Sequence, residues 1–290
     1  MRNRMLLAGG AIVVVVAVVL AFVLLRGKSP ASHPTASSSP TGHSSATPSA
    51  GGPTAPTGSA LAQLIATTTT VPAATLDAVG AGQVSARPTS VSGPALTSGG
   101  KPEMLYLGAE FCPYCAAERW AMVVALSRFG TFSGLAATHS AAQDGAGNSE
   151  PYPDTPTWTF ATAHFTSKYL TFTPVELYTN IPDPGNGAYT TLQTPTSAQL
   201  ALINKYDGPG DIPFIDFGNK YVIVGASYDP GVLAGLTWSQ IAADLHNQDS
   251  PVAKAVLGTA NYITAAICSL TGDQPASACT SVVKSLQAQL

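Results

Sequence analysis

The sequence predicts an α/β domain preceded by one N-terminal transmembrane helix. Three observations predict it. A short apolar run, Met104-Leu105-Tyr106-Leu107, feeds a Cys-x-x-Cys turn and then a stretch without Gly or Pro from Ala116 to Leu126. Strand-like and helix-like segments alternate from there toward the C-terminus. The 21 residues from Met5 to Leu25 carry no charge, and as a helix they reach about 30 Å, the thickness of a bilayer's hydrocarbon core.

Composition narrows the partners. Charged residues make up 10% of the 290 positions and apolar ones 45%, against about 25% charged in an ordinary soluble domain. With a net charge of -3 there is no basic excess to neutralise phosphates, which argues against nucleic acid. A cleavable signal peptide has an apolar region of about 7–15 residues and a small-residue cleavage site. Here Arg26 and Lys28 follow the longer run directly, so residues 5–25 are expected to stay in the lipid bilayer, after a short flank 1–4. Arg2, Arg4 and the amine oppose Arg26 and Lys28, favouring a cytoplasmic N-terminus only slightly.

From Ser29 to Gly58, 23 of 30 residues are Ser, Thr, Pro or Gly and the rest Ala or His, so 26–58 reads as a disordered tether unable to bury a core. His33 and His43 have no companion ligands, and no metal is expected. Residues 59–100 read as an N-terminal extension: Ala60 to Ala66 can begin a helix that Thr67 to Thr70 ends, and Gly80 and Gly82 break Leu76 to Ala86 into a loop. The main domain, 101–290, begins with the Met104–Leu107 strand and a helix capped at Gly130. Leu135 to His139 is a strand, 141–157 a surface loop, and Trp158/Phe160 with Leu170/Phe172 suggest a hairpin turning at Thr166-Ser167-Lys168. Ser197 to Tyr206 is a helix with Thr196 as N-cap. Ile212 to Phe217 and Tyr221 to Val224 form a hairpin through Gly218-Asn219. Helical patterns follow from Thr237, broken at Gly272 to Pro275. Trp120 is expected in the core, and His139, His164 and His246 each stand alone, as core or surface residues.

A strand feeding Cys112-Pro113-Tyr114-Cys115 into a helix start puts the first sulfur among unpaired N–H groups at the positive end of the helix dipole, which favours thiolate. The second sulfur, three residues on, is close enough to form a disulfide. Pro113 fits the first turn, where no N–H partner is lost, and Tyr114 is expected to be exposed. A zinc site would need two more ligands, and Cys268 and Cys279, eleven apart, do not form a second close pair. A purely structural 112–115 disulfide would stabilise little, because the loop is short.

With Gly100-Lys101-Pro102-Glu103, the segment Gly108-Ala109-Glu110-Phe111-Cys112-Pro113-Tyr114-Cys115-Ala116-Ala117-Glu118-Arg119-Trp120, and Asp211-Ile212-Pro213-Phe214, the chain resembles the thioredoxin superfamily. More narrowly, it resembles the membrane-anchored thioredoxin-like proteins grouped as domain of unknown function 929. The resemblance spans roughly 70–290. It implies a thioredoxin-like fold, a central mixed sheet flanked by helices, in which Ile212-Pro213 is a cis turn opposite Cys112 and Cys115, with Pro113 and Tyr114 beside the place where an extended substrate segment is held. Two departures stand out. Thioredoxins carry a buried Asp six residues before the first Cys, where this chain has Tyr106; Glu110 and Glu118 are nearby candidates for proton transfer, the plainer alternative being that both are solvated. The separation of 101 positions from Cys112 to Pro213 implies an insertion, placed at about 141–190.

Cys268 and Cys279 flank the break between helical stretches Val252 to Leu270 and Ala276 to Leu290, and a helical hairpin at about 252–290 would join them in a structural disulfide; two free buried thiols are the alternative. The expectation is thiol-disulfide exchange by Cys112 (attacking) and Cys115 (resolving), without a cofactor, in an extracytoplasmic domain of a single-pass cell-membrane protein. The partners expected are exported or membrane proteins with thiols or disulfides, and a membrane redox partner. The rivals are a non-catalytic protein-binding module on the same scaffold and a metal or haem delivery module. Redox direction is not legible in the dipeptide between the cysteines.

Overall fold

The computed structural model describes residues 52–208 and 210–290. The flank 1–4, the expected membrane span 5–25 and the tether as far as residue 51, with His33 and His43, lie outside the described residues. Among the described residues, no helix is long and apolar enough to cross a membrane.

Helices α1 (Gly58–Thr69) and α2 (Ala73–Val79) come first, then the two-residue strands β1 (Thr89–Ser90) and β2 (Thr97–Ser98) and the longer β3 (Lys101–Gly108), which leads into helix α3 (Pro113–Ser127). Next are β4 (Gly130–Ser133), β5 (Ala136–His139), β6 (Pro156–Thr159), β7 (His164–Ser167), β8 (Thr171–Glu176) and the hairpin β9 (Tyr178–Asp183) and β10 (Ala188–Thr191). Helix α4 (Ser197–Tyr206), strands β11 (Phe214–Phe217) and β12 (Tyr221–Val224), a 3-10 turn at Pro230–Leu233, and helices α5 (Trp238–Asp244), α6 (Pro251–Thr271) and α7 (Ser281–Gln287) complete it.

The central sheet is mixed. Its order runs β1, β12, β11, β3, with β2 on the first residues of β3 and β8 along the rest. Strand β8 is parallel to β3, and the other pairings are antiparallel. From Met104 onward strand β3 is apolar and buried, because both faces are covered there. Met104 and Tyr106 join the larger core with α3 and α6, while Leu105 and Leu107 join a smaller one with Val175, Phe214 and Ile203 of α4. Thus α3 and α6 flank one face of the sheet and α4 the other. Helix α3 is buried nearly all round. Its Trp120 packs edge-on to Trp158 at 5.2 Å and donates to the Pro156 carbonyl, which places it in the core as expected.

Segments with strong cap or turn chemistry fold as expected. Helix α4 has the Thr196 N-cap, completed by Gln199 into a capping box. Strands β11 and β12 turn through Gly218-Asn219, both at positive φ. Other expectations are corrected. Helix α1 runs past Ala66 to Thr69, because the hydroxyls of Thr67 to Thr70 donate to carbonyls four residues back instead of ending the helix. Leu76 is not in a loop but in α2, which ends at Gly80. Helix α3 stops at an Arg128 cap; Gly130 instead begins β4, where a Cβ would lie 2.2 Å from the Thr166 carbonyl oxygen.

The expected hairpin of Trp158/Phe160 with Leu170/Phe172 does not form. Strand β6 pairs with β5, β7 with β4, and β8 enters the central sheet. Alternating apolar residues fix which face is buried but not which strand is the neighbour. The loop expected over 141–157 gives way at Pro156 and Thr157, which are buried in β6. Helix α7 is shorter than the expected 276–290. The 59–100 extension contributes Leu64 and Leu76 to the larger core.

Candidate functional site

Strand β3 ends at Gly108, and four residues later Cys112 is the N-cap of α3 with Pro113 in the first turn. Cys112 Sγ accepts the Cys115 N–H at 3.2 Å, one of the orphan donors of the helix start. It also lies 3.8 Å from the Ile212 carbonyl oxygen, and Ile212–Pro213 is a cis peptide. The fold therefore joins Cys112, Pro113, Tyr114 and Cys115 to Ile212 and Pro213, 100 residues away. Both thiols are free; Cys112 is 4% exposed and Cys115 fully buried.

The surroundings are aromatic on two sides. Tyr114, 40% exposed, meets Tyr152 edge-on at 6.2 Å, and these two with Ile212, Tyr228, Asp211 and Asp229 line a cleft of about 560 Å³. On the other side Phe111 stacks on Tyr189 at 4.1 Å, beside a smaller cleft of about 330 Å³ that Tyr178 also lines. The Tyr189 hydroxyl is hydrogen-bonded to Glu150.

The two thiols are electrostatically unequal. Burial pushes Cys112 up, but hydrogen bonds from the Cys115 thiol and N–H, the Arg119 charge and the Tyr114 N–H outweigh it, and Cys112 lies below the usual thiol range. Burial, the hydrogen bond with Cys112 and the Cys112 charge hold Cys115 well above that range. Such a pair has a ready nucleophile and a reserve thiol.

Beneath them lies a buried ion pair with no counterpart among the sequence-derived candidates. Arg119 Nε and Nη2 donate to Glu176 at 2.9 and 2.6 Å, and Nη2 also donates to the Ala109 carbonyl at 2.7 Å. Glu118 is buried rather than solvated: both its oxygens accept from Ser227, the N–H at 2.9 Å and the hydroxyl at 3.0 Å. Burial pushes it up to about 7 against those two hydrogen bonds. Glu110 is half-buried, its N–H on the Tyr178 carbonyl. The one sequence signal for these groups is the Glu118-Arg119 dipeptide inside an otherwise apolar helix; Glu176, Ser227, Tyr152 and Tyr189 carry none.

Cys268 and Cys279 form a disulfide between the end of α6 and the chain before α7. The one grouping with metal-ligand spacing among the described residues, Cys268, Asp273 and Cys279, has both sulfurs in that bond. His139 pairs with Asp154 at 3.3 Å, His246 meets the Thr67 carbonyl, and His164 is exposed on β7; among the described residues no histidine hydrogen-bonds either free sulfur.

The family model described as Domain of unknown function (DUF929) matches residues 87–194 and 188–269, more than half of the chain. The chain belongs to the DUF929 family. The DUF929 match includes the Cys112–Cys115 turn, Ile212-Pro213, the Arg119–Glu176 pair and Cys268, and it stops before Cys279. No curated protein and no solved structure matches this DUF929 chain.

Proposed function

We propose that the protein is a membrane-tethered, extracytoplasmic thiol-disulfide oxidoreductase of thioredoxin-like fold, acting on exported or membrane proteins through Cys112 and Cys115. The observation that carries this reading is the meeting of the Cys112 sulfur, at a helix N-cap, with the Ile212 carbonyl 100 positions away, at 3.8 Å. The parallel β3–β8 pair and the antiparallel β11–β12 hairpin beside β3 support the fold assignment. The uncharged run from Met5 to Leu25 supports the tether, and the Cys268–Cys279 disulfide supports an oxidising compartment.

Cys112 thiolate attacks a substrate disulfide, the substrate S–S bond breaks, and the leaving substrate sulfur takes a proton. Cys115, once deprotonated, attacks Cys112 in the mixed disulfide and releases the second substrate thiol. The reverse sequence oxidises a substrate dithiol. The aromatic clefts give an extended polypeptide apolar contact beside the sulfur, and no cofactor takes part.

One observation favours a second reading, a non-catalytic binding module: Cys112 is only 4% exposed, so a partner must reach it through a narrow opening. Insulin reduction and refolding of a scrambled disulfide protein by the full-length chain separate the two. Exchange that disappears in Cys112→Ala is the expected result. A wild-type chain without exchange, matched by Cys112→Ala, leaves the binding module.

A further inference from the structure

We propose that Arg119, clamped to Glu176 beneath the cysteine pair, sets its redox direction by stabilising the thiolate form, so that the Cys112–Cys115 disulfide is an oxidant of polypeptide dithiols. The inference rests on the oxidoreductase reading and adds its direction.

Arg119 follows Cys115 by four positions and Cys112 by seven, so all three lie on one face of α3. Its side chain is fully buried. Two hydrogen bonds to Glu176 and one to Ala109, three residues before Cys112, hold the guanidinium in place, while Nη1 has no partner among the described residues. The Glu176 carboxylate is better satisfied, since Oε1 also accepts the Phe160 N–H at 3.2 Å. The other titratable group close by is Tyr106 of β3, whose ring is 5.8 Å from the guanidinium and whose buried hydroxyl has no partner among the described residues. Beneath the sulfurs, therefore, stand a cation with a spare donor, a carboxylate occupied by other donors, and a phenol kept neutral by burial. The Arg119 charge pulls both thiols down, adding to the hydrogen bonds that lower Cys112 and opposing the burial and the Cys112 contact that raise Cys115.

Packing alone does not require this arrangement. Buried ion pairs replaced by apolar side chains of similar volume are often as stable or more so. A charge that favours thiolate over disulfide raises the reduction potential of the pair. In the favoured direction, a substrate thiolate attacks Cys112 Sγ, and the Cys112–Cys115 bond breaks with its electron pair on Cys115, which takes up a proton. A second substrate thiolate then attacks the substrate sulfur of the mixed disulfide, and Cys112 leaves as thiolate. The substrate dithiol is oxidised by two electrons and the protein disulfide reduced by two.

The test is the redox equilibrium of the full-length protein with reduced and oxidised glutathione, alongside the pH profile of Cys112 alkylation. Glu176→Gln leaves the cation unopposed and is expected to shift the equilibrium about tenfold toward the dithiol, about 30 mV more oxidising. The neutral Arg119→Met/Glu176→Gln protein is expected to shift about tenfold the other way, with the Cys112 profile moved to higher pH. Arg119→Lys, which keeps the charge, should stay within about threefold of wild type. Equal potentials in wild type and neutral variant overturn the inference, as does a Glu176→Gln shift toward disulfide; should the neutral variant not fold, the Glu176→Gln shift decides alone. Because the reference couple is glutathione, inactivity on protein substrates leaves this readout intact. An unmoved potential in an actively exchanging protein overturns the inference and not the activity.

Discussion

Cysteines occur at opposite ends of two long helices. Cys112 and Cys115 open α3, where unpaired N–H groups and the positive end of the dipole stabilise negative charge on sulfur. Cys268 lies in the last turn of α6, where carbonyls point outward and Gly272 closes the helix in the left-handed conformation. A thiolate gains nothing there, and the sulfur is bonded instead to Cys279. Loop length separates the pairs as well. Closing three residues constrains the unfolded chain little, while closing eleven contributes about 3 kcal/mol in the chain-entropy model. On the proposed function, position on the helix and loop length together separate a reactive pair from a staple.

The largest effect that can break this contrast is in thiol reactivity. After mild reduction, iodoacetamide should modify Cys112 at least about a hundredfold faster than Cys115, with a midpoint below the ordinary thiol value of about 8.5. Faster labelling of Cys115 reverses their roles. Next is the staple. Replacing Cys268 and Cys279 together by Ser should cost about 3 kcal/mol, a melting temperature lower by roughly 6–12 °C, with exchange per folded molecule unchanged. A mixed disulfide trapped between Cys112 and either C-terminal cysteine within one monomer would make the staple a relay.

A third measurement separates the two helices by pH. Helix α3 buries Glu118, whereas α6 contains no carboxylate. Glu118 is raised in the folded state to about 7, so its contribution to stability is fully present at low pH and is lost as pH rises from about 4.5 through 7, about 3 kcal/mol in all. Asp216 in β11, raised by burial to about 6, acts in the same direction. Chemical denaturation of Glu118→Gln across this range should show a flatter profile than wild type; an unchanged slope assigns the dependence elsewhere. The smallest expected effect is at the start of α6, where Ser250 caps the Ala253 N–H. Ser250→Ala should cost about 1 kcal/mol without altering exchange, and a changed exchange rate would couple the two helices.

Legibility followed the range of the interactions. The Thr196 cap, the Gly218-Asn219 turn and the helix behind Cys-Pro-Tyr-Cys are decided within a few residues, and each is readable in the sequence. The partners of β6, β7 and β8 are not, because their alternation fits several neighbours equally well. At the site, Cys112 and Cys115 are readable from their spacing, and the meeting with Ile212 was accessible only through resemblance. Arg119 and Glu176 are 57 positions apart, and a Glu-Arg dipeptide in an apolar helix does not name the distant counter-ion. The threonine run of α1 misleads for the opposite reason: hydroxyls that favour turns in an exposed chain can bond back to their own helix.

The crossing of the extension over α6 bears on where this protein can be cut. A Cβ at Gly82 would lie 2.1 Å from the Lys254 carbonyl oxygen, and one at Gly258 would lie 2.7 Å from that of Ala81, so two backbones touch with no side chain between them. Beside this crossing, the buried Asn261 amide donates to the carbonyls of Leu76 and Gly80. The family match begins at residue 87, after Leu76, Gly80, Ala81 and Gly82, the extension's side of this crossing. A fragment trimmed to that boundary would open a slot along the middle of α6 and leave a buried amide without acceptors. The stretch recognisable by descent is thus shorter than the stretch that must fold together, and expression of the shorter one should yield an aggregating chain rather than a smaller working domain.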